Sequence, residues 1–573
     1  MINAHKEKIQ SFFQGTLQYE IPFFQRAYVW DEENWSIFWE HLNSELEAYQ
    51  NGEESEHFIG TIITKQKESK QLGENVVELI DGQQRLTTIS LFFKALADTA
   101  KGDLPNLKNS INSFLMFEDS YNNVHYRMLH SRIDRPNYEM VLEKPDELDG
   151  NYENNIISAY RYFYNKLRDF DDQKRNLLQQ VLLHKIPAIS MLLDPNDDEQ
   201  EIFDTINSLG VKLTIGELLK NYIFKEKELQ TYYDYYWFDI FEGDEEQVKY
   251  WSTERTSGRI KRDNMEVLLY CFLIIETKKE IRLDRLFKEY KTYLKDKSTE
   301  DKIAFLQRLN QMAEVYSKWP QEKELVEISF NQKEKRFFHV IENLEITTIY
   351  PLILFLYQNI TNSDERLRTF EVLETYIALR QICKLTTKNY NNLFLQIMRQ
   401  LEKAESINAS VLSTILQGFE KDTNRLPDRD EVRNAFKEVH LSNKQAGEIL
   451  YIIALKDIYS EYSDNKTLSS KAFSIEHIMP KKWKKNWNSN NLNELEEHKR
   501  NQIIKTLGNL TLITKNLNSK LKNQAWQNKI ETLKKYSSLK ITTNYLDKSN
   551  WDEQTIMERA DNLANKALEI WKL

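Results

Sequence analysis

The segment FSIEHIMP, residues 473–480, places an acid and a histidine at the end of a strand-like run, directly before a proline. Further along, LGNLTLIT is a second predicted strand and carries Asn509, and KNLNSKLKNQAW begins a predicted helix that contains Asn518 and continues to Tyr536. A strand, a loop, a second strand and a helix can bring such side chains to one cation. These residue types suit a phosphodiesterase site that uses a single metal ion.

Each residue has a chemical role in this hypothesis. His477 would be the general base, because a neutral imidazole can take a proton from water near neutral pH. Glu476 and Asn518 supply oxygen ligands that suit Mg²⁺ or Mn²⁺, which would polarise the phosphate and neutralise the leaving oxygen. Asn509 would orient His477 or clamp the loop beside it. Each residue alone has an ordinary structural explanation, so the combination of order, strand context and local charge carries the hypothesis.

The same part of the chain is strongly basic. Residues 471–548 contain 16 Lys and Arg against 6 Asp and Glu, whereas the 573-residue chain has a net charge of −10. Such asymmetry indicates a segment that binds a polyanion, although a solvated lysine-rich face explains the charge equally well. In PKKWKKNW, four lysines beside two tryptophans suit phosphate contacts and base stacking. The lysines are Lys481, Lys482, Lys484 and Lys485.

A second polar cluster lies in NVVELIDGQQRLTTISLFFKAL. The pattern predicts a buried strand, a tight turn at Asp81 and Gly82, and a helix that opens at Gln83 or Gln84. Free N–H groups and the dipole at a helix N-terminus suit a phosphate, which Arg85 could bind bidentately, while Asp81 could hold a metal or a water. In a simpler interpretation, Asp81 caps the helix and Arg85 is a surface charge.

The stretch YEIPFFQRAYVWDEENW surrounds Gln25 and Arg26 with aromatic residues. Aromatic rings beside an arginine suit stacking on a base or a nucleotide, although such a stretch is more often the edge of a core. The predicted nucleotide-lining or modification-sensing set is Tyr19, Phe23, Phe24, Tyr28 and Trp30.

A third segment, DEQEIFDTINSLGVKLTIGELLKNYIF, predicts a helix that stops at Gly210 and a second helix that starts after it. Thr214 and Glu217 have capping-box spacing at the start of the second helix. Asn207 and Ser208, at the end of the first, could face the same pocket as Arg85.

The elements that must position these residues change along the chain. Short strand-like runs mix with helical ones up to about residue 235, helical periodicity dominates to residue 465, and strands then return. We therefore predict a helix-rich α+β protein with three domains: an α/β sensor domain at 1–235, a helical connector at 236–465, and a small α+β domain at 466–573.

Composition narrows the class of protein. Cys271 and Cys383 are the only cysteines and both lie in apolar helical runs, which excludes a disulfide framework or a cysteine zinc site and favours a reducing compartment. The longest apolar runs are too short to span a bilayer, and the N-terminus lacks an apolar signal core. We expect a cytoplasmic protein with no membrane partner.

Three N-terminal segments, IPFFQRAYVW, IDGQQRLTT and FDTINSLGVKLTIGELLKN, resemble a ParB/sulfiredoxin-like domain of one known family. IEHIMP, LGNLTLIT and LNSKLKNQAW resemble the HNH nuclease domain of the same family, a ββα-metal or His-Me finger fold. The family is that of the GmrSD-like modification-dependent (type IV) restriction endonucleases, with the phage-defence proteins BrxU and SspE as relatives.

The resemblance implies a nucleotide-regulated, Mg²⁺-dependent endonuclease that cleaves double-stranded phage DNA carrying a modification, acts in the cytoplasm and forms a homodimer. The implied nucleotide is GTP or ATP. His477 matches the base, Asn509 the middle Asn and Asn518 the last metal-site position. The positions implied to handle the nucleotide are Asp81, Gly82, Gln83, Gln84 and Arg85, accompanied by Gln25 and Arg26.

Two departures from the family pattern matter. Glu476 stands where many relatives carry Asp, and Ala27 stands where Pro often follows the Arg. Two alternative functions also stay open from the residues alone. One is a nucleotide-switched DNA-binding protein that does not cleave, and the other is a nuclease that acts on RNA.

Overall fold

The chain forms two compact units, Met1–Lys225 and Glu226–Leu573. Helices predominate and the main sheet is mixed, which confirms the helix-rich α+β class. The predicted helix with Asn207, Ser208 and Gly210 lies outside the described residues. The computed structural model describes residues 3–23, 25–53, 57–67, 75–102, 105–119, 121–148, 154–194, 214–257, 260–459, 466–487 and 492–572.

The first unit contains a six-stranded mixed sheet with the order β1-β8-β3-β4-β2-β7. Strand β2 is parallel to β4 and β7, and β3 is parallel to β8, whereas β1 with β8 and β3 with β4 are antiparallel. Strands β5 and β6 form a separate hairpin. The strands are β1 (Asn3–Lys8), β2 (Leu17–Glu20), β3 (Thr61–Gln66), β4 (Asn75–Asp81), β5 (Met116–Glu118), β6 (Val124–Tyr126), β7 (Met128–Leu129) and β8 (Pro187–Leu193).

Helix α3 is the central helix of this unit, because most of its side chains are buried. Its Phe92 makes edge-to-face contacts with Phe38 and Phe163, at ring-centroid distances of 5.8 and 5.6 Å. The helices of the first unit are α1 (Ile9–Phe12), α2 (Glu32–Asn51), α3 (Gln83–Asp98), α4 (Pro105–Leu115), α5 (Arg135–Glu143), α6 (Asn155–Leu167), α7 (Asp172–Lys185) and α8 (Ile215–Phe224).

Two local predictions for this unit are confirmed. Strand β4 leads through Gly82 directly into α3, which begins at Gln83 as expected. Gly82 has φ of 102°, and a Cβ there would lie 3.1 Å from Ile62 Cγ1, so the turn and the close approach to β3 both favour glycine. Thr214 and Glu217 form the predicted capping box at the start of α8.

The second unit is mainly helical, as predicted for the middle of the chain. A π-helical turn occupies Asp234–Phe238. The helices are α9 (Lys227–Gln230), α10 (Asp239–Phe241), α11 (Glu245–Ser252), α12 (Asn264–Thr277), α13 (Leu286–Leu294), α14 (Thr299–Ser317), α15 (Glu322–Leu325), α16 (Lys333–Asn343), α17 (Tyr350–Asn359), α18 (Ser363–Ile382), α19 (Tyr390–Lys403), α20 (Ala409–Gln417), α21 (Arg429–Glu438), α22 (Asn443–Ile458), α23 (Glu494–Ile503), α24 (Lys515–Leu521), α25 (Trp526–Tyr536), α26 (Lys540–Thr543) and α27 (Glu553–Ile570).

The strands of the second unit pair in three small antiparallel sheets: β9 with β10, β11 with β12, and β13 with β14. Among the described residues, no helix combines the length and the apolar character needed to cross a bilayer. The strands are β9 (Glu254–Ser257), β10 (Ile260–Asp263), β11 (Glu327–Ser329), β12 (Thr467–Ser469), β13 (Phe473–His477) and β14 (Leu510–Thr514).

The helical middle and the C-terminal segment share this second unit. Strand β11 from the middle pairs with β12 of the C-terminal segment, and Trp571 Nε1 donates a hydrogen bond to buried Glu374 Oε1 at 3.1 Å. Lys566 also pairs with Asp457. The expected boundary at residues 465 and 466 therefore lies inside one compact unit, and the division into three domains stays a prediction.

Candidate functional site

Strands β13 and β14 and helix α24 form a ββα arrangement around His477. The strands pair antiparallel from Phe473 opposite Thr514 to His477 opposite Leu510, and α24 follows β14 directly. The prediction that the first strand ends at His477 is confirmed. One local prediction was wrong: Asn509 lies in a short 3₁₀ turn, residues 507–509, immediately before β14.

Asn509 holds the loop that follows His477. Its Oδ1 accepts hydrogen bonds from Met479 N at 2.8 Å and Trp551 Nε1 at 3.0 Å, and its Nδ2 donates to the carbonyls of Met479 and Ile504. The side chain is fully buried and all four hydrogen-bonding positions of its amide are used inside the protein. Of the two roles expected for Asn509, these contacts support the loop clamp, which makes it a positioning residue.

His477 lies at the end of β13 and is partly buried. Burial, together with the positive charges of Lys481 and Lys529, lowers the pKa of His477 to about 4. The ring is therefore neutral near pH 7, which is the protonation state that a general base requires.

Glu476 forms a buried ion pair that the sequence did not indicate. Lys529 on α25 donates from Nζ to Glu476 Oε1, to the His477 carbonyl at 3.0 Å and to the Ile478 carbonyl at 3.1 Å. Burial raises the pKa of the Glu476 carboxyl and lowers the pKa of the Lys529 amine. Lys529 therefore holds two consecutive backbone carbonyls, those of His477 and Ile478.

Asn518 on α24 contacts the strand that carries His477. Its Nδ2 donates to Ser474 Oγ at 3.0 Å and to the Ile475 carbonyl at 2.8 Å. Because both contacts use the nitrogen, the amide oxygen Oδ1 is the atom that a hard cation would bind. The helix that was predicted to continue to Tyr536 is divided instead, since Lys522 has φ of 44° and ends α24 before α25 begins.

The residues fit a magnesium site only in part. Across the described ranges, no three His, Cys, Asp or Glu side chains cluster as a metal site. Asn518 Oδ1 is a suitable ligand atom, whereas Glu476 Oε1 is bound by Lys529. Metal binding through Glu476 would therefore use its second oxygen or displace Lys529, and its ligand role stays a prediction.

Arg559 is a further residue that the sequence did not reveal. Its guanidinium is fully buried and donates to the carbonyls of Leu507, Gly508, Leu510 and Ile541. Burial lowers the pKa of Arg559 to about 10. The guanidinium thus satisfies the carbonyls of the turn that contains Asn509.

Position 508 in this turn has room only for glycine. A Cβ at Gly508 would lie 2.4 Å from the Ile556 carbonyl of α27, which is closer than van der Waals contact allows. Arg559 and Gly508 together fix the turn against α27.

The four predicted phosphate-binding lysines are exposed, but the two tryptophans between them are not. Trp483 and Trp487 belong to the hydrophobic core of the segment, and their indole nitrogens donate to Asn501 Oδ1 and the Gln524 carbonyl. The expectation that these tryptophans stack on bases was wrong, because their rings are needed for the core. Lys484 pairs with Glu497 at 2.5 Å; the exposed lysines are Lys481, Lys482, Lys484 and Lys485.

In the first unit, Asp81 and Arg85 bind each other. Arg85 Nη2 lies 2.8 Å from Asp81 Oδ2 and 2.6 Å from the Thr61 carbonyl. The N-cap of α3 is Gly82, with no side-chain cap, so Asp81 is not the helix cap of the simpler interpretation. Arg85 Nε is buried without a hydrogen-bond partner among the described residues.

Gln83 and Gln84 hold the backbone of the segment that follows Arg26. Gln83 Nε2 donates to the Arg26 carbonyl at 3.1 Å, and Gln84 Nε2 donates to the Ala27 carbonyl at 3.2 Å. Gln84 Oε1 accepts from the backbone N–H groups of Val29 and Trp30. The two glutamines of the DGQQR motif, residues 81–85, thus hold residues 26–30 against the start of α3 by hydrogen bonds.

Gln25 makes the corresponding contact with the sheet. Its Nε2 donates to the β4 carbonyl of Leu79 at 2.9 Å and more weakly to that of Ile80. The structure therefore brings Gln25, the backbone of Arg26 and residues 81–85 together, and their role in nucleotide binding stays a prediction.

Much of the expected aromatic surface is core. Tyr19 and Tyr28 are buried, and Tyr28 OH bonds to Thr88 Oγ1 at 2.7 Å and accepts from Trp35 Nε1. Both tyrosines were therefore wrongly assigned to a sensing surface, because the fold uses them for packing. Trp30 is partly buried and packs against the core, Phe23 is partly buried, and Phe24 lies outside the described residues.

Comparison with known families agrees with both parts of the chain. Residues 9–224 match the N-terminal domain of the GmrSD restriction endonucleases, and residues 426–566 match their C-terminal domain. A search of curated proteins found no match. Because the two family models together cover more than half of the chain, the protein belongs to the GmrSD restriction endonuclease family.

Proposed function

We propose that the protein is a nucleotide-regulated, Mg²⁺-dependent endonuclease that hydrolyses modified foreign double-stranded DNA at the ββα site. The observation that carries the proposal is a neutral His477 at the end of β13, followed by a backbone that Lys529 and Asn509 hold from the His477 carbonyl to Met479. The ββα order is consistent with the HNH fold, and the mixed sheet of the first unit with the ParB/sulfiredoxin-like fold, that the family resemblance implies.

His477 is the proposed general base. Its neutral ring takes a proton from the attacking water, while Asn509 and Lys529 keep the surrounding backbone from shifting. A phosphate bound nearby would raise the pKa of His477 towards its usual value and so increase the basicity of the ring. Proton transfer to a general base typically increases the rate by a factor of about 10² to 10⁴.

Asn518 is the proposed ligand for the metal ion through Oδ1, with Glu476 as the second candidate through Oε2. When bound, Mg²⁺ supplies charge that polarises the phosphate and stabilises the leaving oxygen. Glu476→Gln separates the two possibilities. If Glu476 is a ligand, a higher Mg²⁺ concentration is needed for half-maximal cleavage; if it only pairs with Lys529, stability falls and the Mg²⁺ dependence does not change.

The first unit is proposed to bind GTP or ATP at the start of α3. Helix N-termini bind phosphates through free N–H groups, and Arg85 Nε is available for a further contact. A phosphate that replaced Asp81 as the partner of Arg85 would link nucleotide binding to the contacts of residues 25–30. This exchange is the proposed basis of regulation.

One experiment tests the site, the substrate and the nucleotide together. Wild type and His477→Ala are mixed with unmodified, hydroxymethylated or glucosylated phage DNA and Mg²⁺, with and without GTP or ATP. We expect cleavage that requires His477, favours a modified substrate and responds to one nucleotide. Binding of DNA without cleavage of any substrate would contradict the proposal and favour the nucleotide-switched DNA-binding protein.

A further inference from the structure

Two lysines share one exposed tyrosine ring beside the ββα site. Tyr536, at the end of α25, is 52% exposed. Lys520 of α24 and Lys535 of α25 each place their Nζ 5.2 Å from the centroid of that ring. Cation–π contact orders the two flexible side chains, and it brings two like charges to within twice that distance of each other.

These charges are not neutralised by the protein. Within the part of the chain that the structure describes, neither Lys520 nor Lys535 has a carboxylate partner. Their neighbours differ: Lys534 lies 3.7 Å from Asp547, and Lys548 lies 3.0 Å from Glu558. Residues 515–540 contain seven Lys and one acidic residue, so the surroundings add positive charge and provide little compensation.

This basic surface begins close to the proposed site. Asn518 of α24 donates to the Ile475 carbonyl, two residues before His477 on β13. Lys520 follows two residues after Asn518, which corresponds to about 3 Å along a helix axis. Because residues two apart on a helix lie on different faces, Asn518 and Lys520 would contact different phosphates of the same duplex.

We propose that Lys520, Lys535 and Tyr536 form a docking surface for the phosphodiester backbone of a DNA duplex. The inference rests on the proposed function and adds a second set of contacts to the lysines of PKKWKKNW. A phosphodiester chain fits because it presents singly charged groups at regular intervals, and two unpaired ammonium groups can contact neighbouring phosphates. The exposed Tyr536 ring orders the two lysine side chains for these contacts.

The test measures how DNA affinity depends on salt. Full-length wild type, the double variant Lys520→Gln/Lys535→Gln and the matched control Lys534→Gln/Lys548→Gln are titrated with a fluorescent DNA duplex in EDTA, which prevents cleavage. The logarithm of the binding constant changes with the logarithm of salt concentration by about −0.9 per phosphate contact. We expect the first double variant to reduce this slope by about 2 and to weaken binding about tenfold, whereas the control, with the same change in net charge, keeps the wild-type slope.

Tyr536→Ala tests the ring. It should weaken binding about threefold with little change in slope, because the ring carries no charge. Wild-type slope and affinity in Lys520→Gln/Lys535→Gln would overturn the docking surface, and cleavage by wild type would show that the proposed function stands. Loss of slope in the control as well would show general charge attraction and would also overturn it. If wild type neither binds nor cleaves DNA, the proposed function fails; tighter lysine-dependent binding of a matched RNA duplex would overturn the choice of DNA.

Discussion

The two motifs that identify this chain use their polar residues in opposite ways. In the first unit, the side chains of Gln25, Gln83 and Gln84 form hydrogen bonds with backbone groups of the chain itself. At the ββα site, Lys529, which the sequence did not reveal, binds the His477 carbonyl, and Asn509 holds Met479 two residues later, so neither contact uses the His477 ring. In the proposed function, a recognisable motif is thus the scaffold in one region and the reactive group in another.

The largest expected effect tests the reactive side of this comparison. His477→Ala should reduce the rate of DNA cleavage by about 10² to 10⁴, because no other group would take the proton from water. Cleavage is measured under single-turnover conditions, with DNA affinity and thermal unfolding as controls that should change little. Cleavage at the wild-type rate would remove His477 from the mechanism.

Lys529→Met tests whether the ββα site depends on the buried ion pair between Lys529 and Glu476. The change leaves the buried Glu476 carboxylate without its partner, and breaking a buried ion pair in this way typically costs about 3–5 kcal/mol. The free energy of unfolding is measured with urea. Lys534→Met on the same helix is the control and should cost less than about 0.5 kcal/mol.

A second variant separates the ion pair from other effects of Lys529. Glu476→Leu/Lys529→Met removes both charges, so it should recover a large part of the lost stability. If the double variant is as unstable as the sum of the two single variants, the pair does not explain the role of Lys529.

Gln84→Ala tests the scaffold side. It removes contacts with Ala27, Val29 and Trp30, and should lower the free energy of unfolding of the first unit by about 1–3 kcal/mol. Unfolding and GTP or ATP affinity are measured on the same protein. Lost nucleotide affinity with unchanged stability would mean that Gln84 serves the ligand, and the comparison between the two motifs would fail.

The smallest effect concerns the pH dependence of cleavage. A base works only when neutral, so activity falls as the pH drops through the pKa of His477, which is about 4 in the free protein. Lys481→Gln removes a charge that lowers this pKa, so the acid limb of kcat/KM should move to higher pH by less than about one unit. Lys485→Gln is the matched control and should not move the limb. An acid limb that does not respond to Lys481→Gln would contradict the proposed electrostatics.

Local patterns predicted the elements that carry the motifs. The β4 strand, the Gly82 turn, the start of α3 at Gln83 and the end of β13 at His477 all depend on neighbouring residues, and the structure has them as expected. Glycine at a positive φ and strand alternation are properties that a short window of sequence contains.

Long-range contacts could not be predicted in this way. Lys529 and Arg559 look like ordinary basic residues of amphipathic helices, yet both are fully buried and bind residues about fifty positions earlier. Trp483 was taken for a stacking residue because lysines flank it in the sequence, whereas its ring packs inward. What decides each case is the tertiary environment of the side chain, which sequence spacing does not specify.

The pairing of β11 with β12 limits how this protein can be divided. A fragment that starts at residue 466 would keep β12 and Trp571 but lose the edge of β11 and the Glu374 carboxylate that they bind. It would expose an unpaired strand and a large aromatic side chain, both of which promote aggregation. The C-terminal segment is therefore poorly suited to exchange between proteins as an independent module, and its inheritance should be tied to that of the helices before it.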